Sequence, residues 1–107
     1  MNLDFSLLRR VTNGDSALES ELIGVFLESA KECLTLLREA HDADDALLWR
    51  GQAHAFKGIS MAIGAEELGT LCRLAQENYQ EAPLARASRL AGIEAAYKDV
   101  ERQLGAG

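Results

Sequence analysis

His54 stands in the run Ala53-His54-Ala55-Phe56-Lys57-Gly58, so a histidine is followed three residues on by a lysine and four on by a glycine. On a helix those offsets put the three positions on one side. An imidazole is neutral near pH 7 and offers a nucleophilic nitrogen. A lysine one turn away offsets part of the roughly two negative charges that an arriving phosphoryl group carries. A glycine beside the ring removes bulk, so that a second molecule can come close. Gln76, on a later segment, offers an oxygen suited to hold the other ring nitrogen and fix the tautomer. These residue types in this pattern point to covalent carriage of a phosphoryl group.

The helix that must carry them has an unusual outer face. Successive residues turn by about 100°. With Ala53 at the centre, Ala46, Trp49, Phe56, Ser60 and Ile63 fall in the arc expected to face a core, and His54 falls roughly 100° outside it. Leu47, Arg50, Gly51 and Met61 share the side of His54. A solvent face is normally dense in Glu, Lys and Gln. Here Gly51 and Gly58 each cost about 1 kcal/mol against alanine, and Leu47 and Met61 are apolar. An apolar patch around a polar group has the composition of a docking surface, which we assign to Leu47, Arg50, Gly51 and Met61. Arg50 is also a second cation near His54, although a solvated charge is its simpler reading. Ser60 reads as a small packing residue, and His41 as a turn residue with no role.

The rest of the chain reads as helices that position this face. Gly and Pro are scarce inside long periodic segments, and no strand-like alternation is present. A short helix follows Asp4 and ends near Val11. After the turn Asn13-Gly14-Asp15, Ser16 caps a long helix, with Glu19 completing a capping box. Its apolar positions Leu18, Leu22, Phe26, Cys33 and Leu37 recur at helical spacing. A second edge of Ile23, Leu27 and Leu34 is available for the short helix to cover. This long helix ends near Ala40. The third helix spans about Asp44 to Ile63, closed by Gly64. The fourth opens on Glu66 and Glu67 and runs to about Gln80, with Leu68, Leu71, Cys72, Ala75 and Tyr79 facing the core. Gln76 lies at the edge of that stripe, and Gly69 shares its side and permits close helix approach. Pro83 opens the fifth, which carries Leu90, Ile93, Tyr97, Val100 and Leu104 and ends at Gly105. Four long amphipathic helices on short turns imply an all-α fold: an antiparallel four-helix bundle with a short additional N-terminal helix.

Length and composition narrow the function. The 107 residues argue for a single domain, 1–107. Seventeen acidic against 11 basic residues give a net charge of −6, which argues against nucleic-acid binding through a basic patch and against an anionic membrane surface. No apolar run approaches the roughly 18 residues that span a bilayer. Met1 to Phe5 lacks the basic and apolar regions of a signal peptide. Cys33 and Cys72 form no CxxC pair and read as reduced core thiols, which fits a cytoplasmic protein. Two histidines and two separated cysteines supply no convergent metal-ligand set, so no metal is expected. No Gly-rich phosphate loop or kinase motif is present, so no ATP site is expected.

The run from Ala53 to Ala65 resembles the signature of the histidine-containing phosphotransfer (HPt) family, His-x-Leu/Phe-Lys-Gly-x-Ser/Ala-x-x-x-Gly-Ala, filled by His54, Phe56, Lys57, Gly58, Ser60, Gly64 and Ala65. Leu68 and the stretch Leu71 to Ala75 resemble the family's next helix, and Gln76 matches in spacing a glutamine that bonds the active histidine in several members. Phe56 stands where leucine is commoner, and Ile59 where a small residue is frequent; neither change removes a functional group. The resemblance implies a carrier that is not an independent enzyme. It accepts a phosphoryl group on His54, at the distal Nε2, from the aspartyl phosphate of a response-regulator receiver and passes it to another receiver. It implies no cofactor in the domain, because Mg²⁺ belongs to the receiver. The implied partners are receivers, including those of a hybrid sensor histidine kinase, and the domain is expected to be a monomer. An alternative is a non-phosphorylated helical adaptor that keeps only the docking face. The dimerising phosphoacceptor module of a sensor kinase fits less well. Such modules usually follow the histidine with an acidic residue and soon a proline, whereas here Ala55 follows and Pro83 is the first proline.

Overall fold

Side-chain caps decide where the helices begin. Asp4 opens α1 (Phe5–Thr12), its carboxylate accepting from the Ser6 backbone N–H at 3.0 Å. Asn13, in the left-handed region at φ 51°, closes the helix, as a short polar side chain tolerates. Asp15 then caps α2 (Ser16–Asp42), accepting from the N–H groups of Ala17 and Leu18 at 3.0 and 3.1 Å. The cap expected at Ser16 thus falls one residue earlier. A carboxylate is the better acceptor at the positive end of a helix dipole than a hydroxyl. α2 also continues past Ala40, so His41 lies in its last turn instead of in a loop. α3 (Ala46–Ala62) starts later than expected, capped by Asp45, whose carboxylate accepts from the Leu48 N–H at 3.0 Å. Asp44 precedes it at φ 51° and belongs to the turn.

The computed structural model describes residues 3–105, and among them the sequence folds into α1, α2, α3, α4 (Glu66–Glu77) and α5 (Pro83–Gln103), with no strand. Gly64 makes the tight turn between α3 and α4. Its φ of +84° is the left-handed region, and a Cβ there would collide with the backbone carbonyl of Asp4. The same turn accepts a hydrogen bond from the Asp4 N–H to the Gly64 carbonyl at 3.0 Å, which fastens the start of α1 to the site helix. α4 ends at Glu77, short of the expected Gln80, and Asn78 to Gln80 form a turn. Asn78 explains the stop: its Nδ2 donates to the Leu74 carbonyl at 2.9 Å, satisfying a group at the helix end that has no further helical partner. Pro83 is in the first turn of α5, where its missing N–H costs nothing.

The core lies between α2, α3, α4 and α5. α3 packs most extensively on α4 and α2, and α5 completes the set by packing on α4 and α2. α1 lies against α2 with Leu8 buried. Trp49, Ala53 and Phe56 of α3 are fully buried with Leu37, Leu68, Cys72, Ala75, Ile93 and Val100. The Tyr97 ring joins two of these helices, its centroid 6.4 Å from that of Phe26 and 6.2 Å from that of Phe56. Each large apolar side chain buried this way contributes about 1.5–3 kcal/mol. Leu18, expected in the core, is exposed because it sits in the first turn of α2, beyond the packed layers. Arg86 is the charged exception inside: it is buried in the first turn of α5 and pairs with Asp44, tying α5 to the α2–α3 turn.

Both cysteines are free and buried. Burial pushes the Cys72 thiol up to about 12, so almost none of the reactive thiolate exists at neutral pH. Iodoacetamide is therefore expected to leave Cys72 unmodified in the native protein and to alkylate it once urea unfolds the chain. Mass spectrometry of the quenched protein reads this directly, and rapid native alkylation of Cys72 would contradict its burial.

Candidate functional site

α3 presents its outward face between its two packed sides. His54 is exposed on that face, while Ala53 and Phe56 beside it are buried, as the helical arc requires. Nδ1 of His54 lies 3.3 Å from Oε1 of Gln76, which reaches across from α4 and is half-buried. An amide oxygen only accepts, so this contact assigns the proton of the neutral ring to Nδ1 and leaves the Nε2 lone pair free.

Three further contacts set the register of the α3–α4 seam. The Trp49 Nε1–H donates to the Ala75 carbonyl at 3.0 Å, satisfying one of the last carbonyls of α4 immediately before Gln76. Arg50 stacks on the ring of Tyr79, with Cζ 4.8 Å from the centroid. Met61 lies over Gly69, where a Cβ would collide with the Met61 sulfur. In the pairs Arg50–Tyr79, His54–Gln76 and Met61–Gly69 the numbers rise on the α3 side as they fall on the other, with His54 and Gln76 in the middle.

The flanking residues divide by chemistry. Lys57 is half-buried beside α4 and makes no hydrogen bond or ion pair among the described residues. Gly51 and Gly58 are exposed, and a Cβ at either would meet nothing within 4 Å. The fold does not require those two glycines, so their helix penalty has no structural return. Leu47 is 65% and Met61 47% exposed, giving apolar surface on either side of the histidine. On the α2 side, Leu22, Val25 and Ile59 line an apolar groove that reaches Leu8 and Val11 of α1. The periodicity of α2 places Val25 off its core stripe, and the groove exists only once α1 is docked; sequence reasoning missed both it and the Arg50–Tyr79 stack. His41 is half-buried in the last turn of α2, and its Nδ1 is buried without a hydrogen-bond partner among the described residues. Among the described residues no group of three or more His, Cys, Asp and Glu side chains converges as metal ligands. No helix of the described residues is long and apolar enough to cross a membrane.

A bundle helix that exposes a tautomer-fixed histidine between a cation and a bare glycine defines a class, and the Hpt domain family model matches residues 21–103. The chain belongs to the histidine-containing phosphotransfer family, and its role is histidine phosphotransfer in a phosphorelay. It is similar to histidine-containing phosphotransfer protein B (HptB) from Pseudomonas aeruginosa PAO1. That crystal structure aligns with a TM-score of 0.88 at 26% identity, over 96% of this chain and 90% of that one. No curated protein matches the chain.

Proposed function

We propose that His54 is the phosphoacceptor, and the observation that carries the reading is its exposed ring with Nδ1 against Gln76 Oε1 at 3.3 Å. Gln76 orients the imidazole and keeps the proton on Nδ1. The Nε2 lone pair attacks the phosphorus of a receiver aspartyl phosphate. The P–O bond to the aspartyl carboxyl breaks, a carboxylate leaves, and an Nε2–P bond forms. The proton on Nδ1 stays in place, so the phosphorylated ring is a cation ready to give the group up again. Attack by the aspartate of a second receiver reverses the step. Lys57 lies one turn from His54 and offsets the charge of the phosphoryl oxygens.

The receiver docks on the outer face of α3, over Leu47, Gly51, Gly58 and Met61, with Arg50 at its edge. The partners are receivers, free or joined to a hybrid sensor kinase, and neither nucleic acid nor membrane is a partner. The domain supplies no ATP site, no cofactor and no independent catalysis; the divalent cation is the receiver's. The chain acts as one monomeric domain in the cytoplasm, its helices arranged as an antiparallel four-helix bundle with α1 added. The opposed register of α3 and α4 and the closed set of helix contacts support that arrangement.

The test is transfer itself: the purified protein is mixed with radiolabelled phospho-receivers and Mg²⁺. Acid-labile, base-stable label on the protein is expected. Receiver binding without label would leave a docking adaptor in place of a carrier.

Gly58→Leu separates docking from folding. Leucine in place of an exposed mid-helix glycine is expected to stabilise the domain by about 0.5–1 kcal/mol. The same bulk beside His54 is expected to slow transfer roughly tenfold by blocking close approach. Thermal melts and transfer rates on one preparation read both, and an unchanged rate would remove the close-approach role of Gly58.

A further inference from the structure

Arg50 differs from the other arginines that the structure holds in place. Arg38, Arg73, Arg86, Arg89 and Arg102 each pair with a carboxylate. Arg50 pairs with none among the described residues, and its guanidinium lies instead against the Tyr79 ring, 4.8 Å from the centroid. Attraction to a ring face uses the charge of the guanidinium and takes up none of its N–H donors in a bond to a carboxylate. The fork therefore remains free to bond anionic oxygens while its position is held.

Arg50 is four residues before His54, one helical turn on the same side. Side chains on a helix lean toward its N-terminus, so the His54 ring leans over the turn that carries Arg50, and Lys57 leans over His54 from the turn behind. The end of the Arg50 chain is held at the α3–α4 seam by its contact with the ring of Tyr79. Tyr79 lies in the turn just past the end of α4, half-buried against the core, three residues beyond the Gln76 that meets His54.

We infer that Tyr79 is a positioning residue that holds the Arg50 guanidinium at the α3–α4 seam, where it contacts the phosphoryl group on His54 as a second cation opposite Lys57. The inference rests on His54 being the phosphoacceptor and adds to it the means by which α4 sets the charge around the transferred group. Receivers that deliver or remove the phosphoryl group then meet a site with a cation on each side of the ring along α3.

The experiment measures transfer from one phospho-receiver over a range of receiver concentrations, using the full chain and the variants Arg50→Met, Tyr79→Leu, Tyr79→Phe and Arg50→Met/Tyr79→Leu. Circular dichroism checks that each is folded. Arg50→Met and Tyr79→Leu are expected to lower the rate at saturating receiver by about two- to fivefold, the size of an exposed cation–π contact. Tyr79→Phe keeps the ring face and is expected to match the unaltered protein. The double variant is expected to be no slower than Arg50→Met alone. Equal slowing by Phe and Leu at position 79, or losses that multiply in the double variant, would overturn the positioning role. An effect confined to the half-saturating receiver concentration would make Arg50 a docking charge only and overturn the phosphoryl contact. If the unaltered protein takes no label, the carrier reading fails and this inference with it; label with unchanged rates in the variants overturns this inference alone.

Discussion

His54→Gln is expected to abolish phosphoryl acceptance while leaving the domain folded. Glutamine is polar and of similar reach, but its amide nitrogen has no available lone pair, so no N–P bond forms. The fold has little stake in the imidazole: it is exposed, off the buried arc of α3, and its one partner is a 3.3 Å contact to Gln76. A surface change of that kind alters stability by no more than about 0.5 kcal/mol. Radiolabel from phospho-receivers should therefore appear on the unaltered protein alone, while the helical circular dichroism and the urea midpoint coincide for the two. Label on the variant would move the acceptor to another residue. Lost ellipticity would show that His54 is part of the structure.

Trp49→Ala is expected to cost about 3–5 kcal/mol, a large part of the 5–15 kcal/mol that holds a domain of this kind together. The side chain is fully buried, and its removal leaves a cavity in the core where the start of α3 packs against the end of α4. It also strips the Ala75 carbonyl of its 3.0 Å hydrogen bond next to Gln76. Trp49→Phe keeps most of the volume and isolates that bond; the unpaired carbonyl is expected to cost about 1–3 kcal/mol. Urea unfolding followed by circular dichroism measures both. A Phe variant as stable as the unaltered protein would mean that the indole contributes volume only. Because Trp49 anchors the segment that carries Gln76, the Phe variant is also expected to loosen the His54–Gln76 contact, visible in the imidazole NMR resonances.

The helix boundaries show where sequence reasoning is exact to a turn and no finer. Gly64 and Pro83 were legible because their backbone limits leave few alternatives: a left-handed turn for one, a first-turn position for the other. Asp15 against Ser16 was not, since both are good caps and only the folded chain shows which oxygen meets the free N–H groups. The end of α4 was overrun by three residues because Tyr79 keeps the apolar period that the helix itself abandons at Asn78. Tyr79 remains partly buried all the same, delivered by a turn instead of a helix.

The sequence by itself determined which side chains share the outer face of α3. His54, Lys57 and Gly58 share a side, and Trp49, Ala53 and Phe56 face away from it, because offsets within one helix follow from the 3.6-residue turn alone. Only the tertiary structure decided what meets that face. The pairing of His54 with Gln76, the stack of Arg50 on Tyr79 and the seating of Met61 on Gly69 depend on how far α4 is shifted along α3. That shift is set by side-chain packing, by the Trp49 bond to Ala75 and by the space Gly69 leaves, none of which has a period along the chain.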